Sequence, residues 1–80
     1  MNREEILAKV AEICKDVFED EALVITESIT KNDVEKWDSL AHLALMNEIE
    51  DQFDITLMLE EMTSIKSISD VVDVVLKHSK

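Results

Sequence analysis

The residue types best suited to chemistry lie near the middle of the chain, where Asp38 and Ser39 are followed by His42. A serine about one helical turn from a histidine resembles a nucleophile beside its base. The sequence offers no third group and no oxyanion hole, and a chain of 80 residues is too short to wall off a cleft from water. Hydrolysis is therefore not favoured, and the simplest structural alternative is that Ser39 or Asp38 caps a helix.

Helical spacing of apolar residues predicts the elements that would position Ser39. A first helix is predicted after Asn2, which can cap it with Glu5 three residues later. Its apolar face comprises Ile6, Leu7, Val10, Ile13, Cys14, Val17 and Phe18. A second helix is predicted from near Ser39 to about Gln52, with apolar positions at Leu40, Leu43, Leu45, Met46, Ile49 and Phe53.

The remaining segments predict a long connection, a short helix and a final helix. From about Glu19 to Trp37 the pattern predicts a loop pinned by Leu23, Val24, Ile25, Ile29 and Val34. The run from Leu57 to Met62 predicts a helical turn or two packed under the other helices, with Met58 in the core. Ser67 should cap the last helix. Its β-branched run would also suit a strand, but one short strand would have no pairing partner.

Charge and composition exclude several classes of function. The formal net charge is -11 and the pI is about 4.3, which argues against nucleic acid as a partner and favours electropositive protein surfaces. No apolar run is long enough to span a bilayer, and the start of the sequence lacks a signal-peptide pattern, so we expect a cytoplasmic location. The acidic run 19–21 lacks the spacing of a calcium loop, and no metal site is expected.

Four side chains have plain structural interpretations. The single cysteine, Cys14, cannot form an internal disulfide and is expected in the core. Trp37 is expected to seal the loop onto the helices. His42 should pack beside Trp37 or pair with Asp38, and His78 should act as a cation near the end of the last helix.

The sequence Trp37-Asp38-Ser39-Leu40, together with the chain length, acidity and helix order, resembles the phosphopantetheine-dependent carrier proteins, that is, the acyl carrier protein family. The resemblance covers nearly the whole chain and includes the acidic end of the second helix. It implies an all-α, acyl-carrier-like four-helix bundle with three main helices, one short helix and a long first loop. It also implies a single carrier domain over residues 1–80 that is not itself an enzyme.

The resemblance further implies that a phosphopantetheinyl transferase attaches 4'-phosphopantetheine from coenzyme A to Ser39. Asp38 would help place the metal and cofactor during attachment. The exposed face of the second helix would meet partner enzymes through Leu40, Leu43, Asn47, Glu50 and Asp51. An acyl chain could enter a channel that we expect to be lined by Leu45, Ile49, Phe53, Met62 and Ile65.

The cargo and pathway remain open at this point. Trp37 before the motif, and Ala41 and Ala44 where fatty-acid carriers often have acids, favour a specialised pathway. The expected partners are an acyl- or aminoacyl-loading ligase and downstream acyltransferase or synthase enzymes, which a monomeric carrier would serve in turn. Two alternatives are an aminoacyl or peptidyl carrier of the D-alanyl type, and an acidic helical docking module without a cofactor.

Overall fold

The structure is a computed structural model, and it describes residues 2–78. It confirms the predicted all-α bundle of three main helices, one short helix and a long first connection. The elements are α1 (Arg3–Val17), a short 3-10 turn (Lys31–Asp33), α2 (Ser39–Phe53), α3 (Leu59–Ser64) and α4 (Ile68–His78). Between residues 2 and 78, β pairing is limited to one isolated bridge that joins Thr30 and Ser67.

Two of the helices begin at the caps that the sequence predicts. The Asn2 Oδ1 atom accepts a hydrogen bond from the Glu5 N–H at 2.9 Å. The Ser67 Oγ atom accepts one from the Asp70 N–H at 3.1 Å. Each cap satisfies an amide group that has no partner inside its own helix, which explains why α1 and α4 start where they do.

The core lies along α1, which packs against both α2 and α4. Apolar residues of all three helices are buried together, among them Ile6, Val10, Leu45, Met46, Ile49, Val71, Val72 and Val75. Packing therefore overrides the β-branched composition of α4, which by itself would weaken a helix. Cys14 is buried in this core as predicted, and burial raises the pKa of its thiol to about 12.

The connection between α1 and α2 is pinned to the bundle, as predicted, but not by every residue expected. Ile25 and Val34 are buried, whereas Val24 is 74% exposed, so its assignment as a core contact was wrong. The backbone of the connection also bonds to the start of α4, where the Ile68 N–H donates to the Ile29 carbonyl at 2.9 Å. Apolar and backbone contacts together hold this segment without glycine or proline.

The turn from α2 to α3 corrects a second prediction. Leu57 is buried, but Met58 and Leu59 are 64% and 72% exposed, so Met58 is not a core residue and the start of α3 does not pack under the other helices. Asp54 ends α2 in the left-handed region at φ 53°, which an aspartate tolerates better than most residues. The Glu50 carboxylate then accepts a hydrogen bond from the Leu57 N–H at 2.8 Å.

Candidate functional site

The start of α2 presents a serine whose hydroxyl is free to react. Asp38, not Ser39, caps the helix: its backbone is extended, and its Oδ1 accepts a hydrogen bond from the Ala41 N–H at 2.8 Å. Ser39 is the first residue of the helix and is exposed. No side chain of the described residues holds its hydroxyl, so the interpretation of Ser39 as the cap is wrong.

This position suits a phosphate ester on Ser39. The first turn of a helix has unpaired N–H groups and the positive end of the helix dipole, which favour a nearby negative charge by roughly 0.3 to 1 kcal/mol. An exposed hydroxyl also leaves space for an attached group and for the enzyme that would attach it. The residues present at the start of α2 therefore fit a covalent phosphopantetheine arm.

An exposed strip of α2 continues from Ser39 along the helix. Leu40 and Leu43 are 80% and 53% exposed, and Asn47 and Asp51 are also exposed. Their spacing of three and four residues places them on one side of α2. Glu50 differs from these predicted partner contacts, because it is half-buried and its carboxylate binds the Leu57 N–H.

The five predicted channel residues belong to a single hydrophobic cluster. Leu45, Ile49 and Ile65 are buried in it, and Phe53 and Met62 are partly buried against it. They come from α2, from α3 and from the residue that follows α3. The structure therefore places the five side chains in or against the one hydrophobic core.

A hydrogen-bonded pair of rings lies behind the attachment region. Trp37 and His42 are both buried, and the Trp37 Nε1 donates to the His42 Nδ1 at 3.0 Å. This contact confirms that His42 packs beside Trp37 instead of pairing with Asp38. The Trp37 ring also packs against Phe18, at 5.8 Å between ring centroids. The rings thus join the end of α1 to the start of α2.

His42 makes a second hydrogen bond that sequence reasoning missed. Its Nε2 lies 2.7 Å from the Met62 carbonyl oxygen of α3. Because an indole N–H can only donate, Nδ1 must accept, and the proton of the neutral ring is on Nε2. Burial is the main cause that lowers the pKa of His42, and the positive charge of Lys31 lowers it further against the opposing effect of the Met62 carbonyl.

Other kinds of site are not found in the part of the chain that the structure describes. No group of three or more histidine, cysteine, aspartate or glutamate side chains is arranged to hold a metal ion there. In that same part, no helix is both long and apolar enough to cross a membrane.

The chain is similar to known proteins along most of its length. A family described as "Phosphopantetheine attachment site" matches residues 4–75. An acyl carrier protein from Rubrobacter xylanophilus is 38% identical over 79 residues, which cover 98% of this chain and 96% of that protein.

Two solved structures have the same fold. One is the solution structure of a holo acyl carrier protein from Geobacter metallireducens, with a TM-score of 0.83 and 33% identity over 90% of this chain and 83% of that chain. The other is the crystal structure of an acyl carrier protein from Thermotoga maritima, with a TM-score of 0.84 and 27% identity over 98% of this chain and 91% of that chain.

Proposed function

The chain belongs to the phosphopantetheine-attachment family of acyl carrier proteins, and from this premise we propose that Ser39 is the residue that bears the arm. The family assigns the protein as a carrier and not an enzyme, with 4'-phosphopantetheine as its cofactor. The arm supplies a terminal thiol on which an acyl group is held as a thioester. The protein contributes a serine for attachment and a surface that partner enzymes recognise.

The observation that carries the assignment of Ser39 is its free hydroxyl at the start of α2. Ser39 is exposed and outside the cap, because Asp38 already satisfies the Ala41 N–H. Asp38 therefore has a structural role, and we infer that it also approaches the metal and cofactor when the transferase is bound. The Ser39 oxygen would form a phosphodiester with the phosphorus nearest to the pantetheine of coenzyme A as the phosphoanhydride bond breaks. Adenosine bisphosphate would leave, and the serine proton would pass to a base of the transferase.

The exposed strip on α2 is the surface that we assign to partners. Leu40 and Leu43 offer apolar contacts next to Ser39, while Asp51 offers a negative charge farther along the helix. The partners would be the transferase, a loading ligase and downstream acyltransferase or synthase enzymes.

The early positions of α2 bear on the pathway. Fatty-acid carriers often have acids where this chain has Ala41 and Ala44, and this difference supports a specialised pathway with a narrower set of partners. We place this carrier in the cytoplasm.

The attachment site is tested by intact mass. The protein is incubated with coenzyme A, magnesium and a broad-specificity phosphopantetheinyl transferase, beside Ser39→Ala and the control variant Ser28→Ala. Wild type and Ser28→Ala should each gain one phosphopantetheine adduct, and Ser39→Ala should gain none while keeping the helical circular dichroism of wild type. An adduct on Ser39→Ala would show that another residue bears the arm and would reject the assignment of Ser39. No adduct on wild type, while a known carrier is modified, would favour the docking module without a cofactor.

The nature of the cargo is tested by thermal stability. We propose that acyl cargo packs among Leu45, Ile49, Phe53, Met62 and Ile65, where each buried methylene contributes roughly 0.8 kcal/mol. A long acyl chain on the arm should therefore raise the melting temperature above that of the thiol form, and an alanyl group should change it little. Equal melting temperatures for both cargoes would exclude the channel.

A further inference from the structure

The two histidines of the sequence, which lie on two different helices, bind adjacent residues of the short helix α3. His42 of α2 contacts the Met62 carbonyl, and His78 of α4 contacts the Glu61 carboxylate. Helix α3 has six residues, none of which is fully buried. Polar contacts therefore have a larger share in holding α3 than in holding the other helices.

The contact from α2 requires an uncharged ring. His42 accepts the Trp37 indole proton on Nδ1 and donates from Nε2 to Met62. A proton added to Nδ1 would face the Trp37 N–H, so the two donors would repel and the ring would have to move. The charge nearest to His42 from the 3-10 turn is Lys31, which also opposes protonation.

The contact from α4 is made with the Glu61 carboxylate. The His78 Nε2 lies 2.8 and 3.0 Å from the two carboxylate oxygens of Glu61, and the Lys77 Nζ lies 3.3 Å from one of them. The same carboxylate accepts the Met58 N–H, and this bond, followed by the one to His78, lowers the pKa of Glu61 to about 2. Glu61 thus stays anionic at neutral and mildly acidic pH, and its carboxylate can accept hydrogen bonds from both His78 and Lys77.

We propose that His42 and His78 form a two-sided clamp on α3 and that protonation of His42 releases its α2 side. While its ring is neutral, His42 joins the Met62 carbonyl of α3 to α2 and to Trp37. Once His42 is protonated, the α2 side is released, while Glu61 still binds His78 and Lys77 of α4. Two further acids, Asp70 and Asp73, line a groove with Glu61 and Lys77, and Asp73 also pairs with Arg3.

The clamp lies at the border of the proposed acyl channel, since the Met62 that His42 binds is one of its lining residues. Release of α3 from α2 would widen the region between those helices while α3 stays on α4. This consequence for cargo rests on the proposed function. The clamp itself is a property of the unmodified chain and is tested without the arm, so its failure and the failure of the carrier assignment are distinguishable.

The first test is an NMR titration of the unmodified wild-type protein between pH 8 and 5. The His42 ring nitrogens should report the tautomer with the proton on Nε2 at pH 8, and they should titrate below pH 6.5. The Trp37 indole N–H resonance should shift with the same midpoint, and it is a unique reporter because the sequence contains one tryptophan. A proton on Nδ1 at pH 8, or an indole resonance that ignores the His42 titration, would overturn the proposal.

The second test measures hydrogen-exchange protection factors of α3 amides in three variants. His42→Asn keeps an acceptor near Trp37 but is too short to reach Met62, so it should lower α3 protection mainly at pH 8. His78→Gln weakens the contact with Glu61 and should lower α3 protection at both pH values. His42→Gln retains a donor for Met62 and cannot titrate, so it should retain the α2 contact at both pH values. An equal loss of protection at both pH values in His42→Asn, or no loss in His78→Gln, would reject the two-sided clamp.

Discussion

Helices α3 and α4 follow each other in the chain but are held to the bundle by different forces. Helix α4 buries five of its eleven residues, namely Ile68, Val71, Val72, Val74 and Val75. Helix α3 buries none of its six, and its contacts include the carbonyl and carboxylate that the two histidines bind. The first kind of attachment depends on apolar area, and the second depends on protonation and charge.

This difference explains how one small bundle can have a stable part and a part whose stability depends on pH and salt. Buried apolar area stabilises at roughly 25 cal/mol per Å² and does not depend on pH. Hydrogen bonds to titratable groups change with protonation, and exposed ion pairs weaken with salt. We therefore expect conditions that leave α1, α2 and α4 assembled to loosen α3 first.

The largest effect should come from a core deletion in α4. Ile68 is fully buried, so Ile68→Ala should lower the free energy of unfolding by about 2 to 5 kcal/mol through lost burial and the cavity left behind. The matched change in α3 is Leu59→Ala. Because Leu59 is 72% exposed, this change should shift the free energy of unfolding by no more than about 0.5 kcal/mol. Urea unfolding followed by circular dichroism measures both, and comparable losses would contradict the distinction.

A smaller effect should follow acidification. The folded state holds the pKa of His42 below its ordinary value of 6.5, so the unfolded chain binds more protons just below that pH. The stabilisation from neutral His42 is therefore complete above pH 6.5. It is lost as the pH falls toward the pKa that His42 has in the folded protein. The loss cannot exceed about 1.4 kcal/mol per pH unit, the limit for one proton.

The contribution of His42 to this pH dependence is isolated by comparison with His42→Gln, which has no ionisable ring. Urea unfolding of both proteins at pH 7.5 and 5.5 should show the steeper loss for wild type. Identical slopes would mean that His42 protonation does not weaken the fold.

The smallest effect should come from Glu61→Gln. A glutamine can still accept the Met58 N–H, but it loses the charge that binds His78 and Lys77. The melting temperature should fall by a few degrees at low ionic strength, and the difference from wild type should shrink as salt is added. Glu60→Gln, an exposed change on the same helix, is the control and should leave the melting temperature nearly unchanged.

The parts of the fold that could be predicted are those encoded by local pattern. The α1 and α4 caps at Asn2 and Ser67 were confirmed, because a cap and its amide partner are three residues apart. The start of α2 was harder, since Asp38 and Ser39 are both good caps and their order alone does not choose between them. The exposure of Met58 was also missed, because apolar character alone does not show that a short helix is left uncovered.

The contacts that could not be predicted are long-range in sequence. His42 binds a carbonyl 20 positions away, and His78 binds a side chain 17 positions away. The signal in the sequence was a tryptophan five residues before a histidine, which indicated packing but not the second partner. The short 3-10 turn at Lys31–Asp33 was missed as well, since three residues are too few to show a period.

The buried sulfur of Cys14 has a consequence for chemical selectivity. A thioester migrates readily to any accessible thiolate, and burial keeps this side chain both protonated and out of reach. A chain bearing the arm would then present a single reactive sulfur, the one at the tip of the cofactor. The acyl group could not transfer from the arm to Cys14, and thiol-directed reagents would label the arm alone.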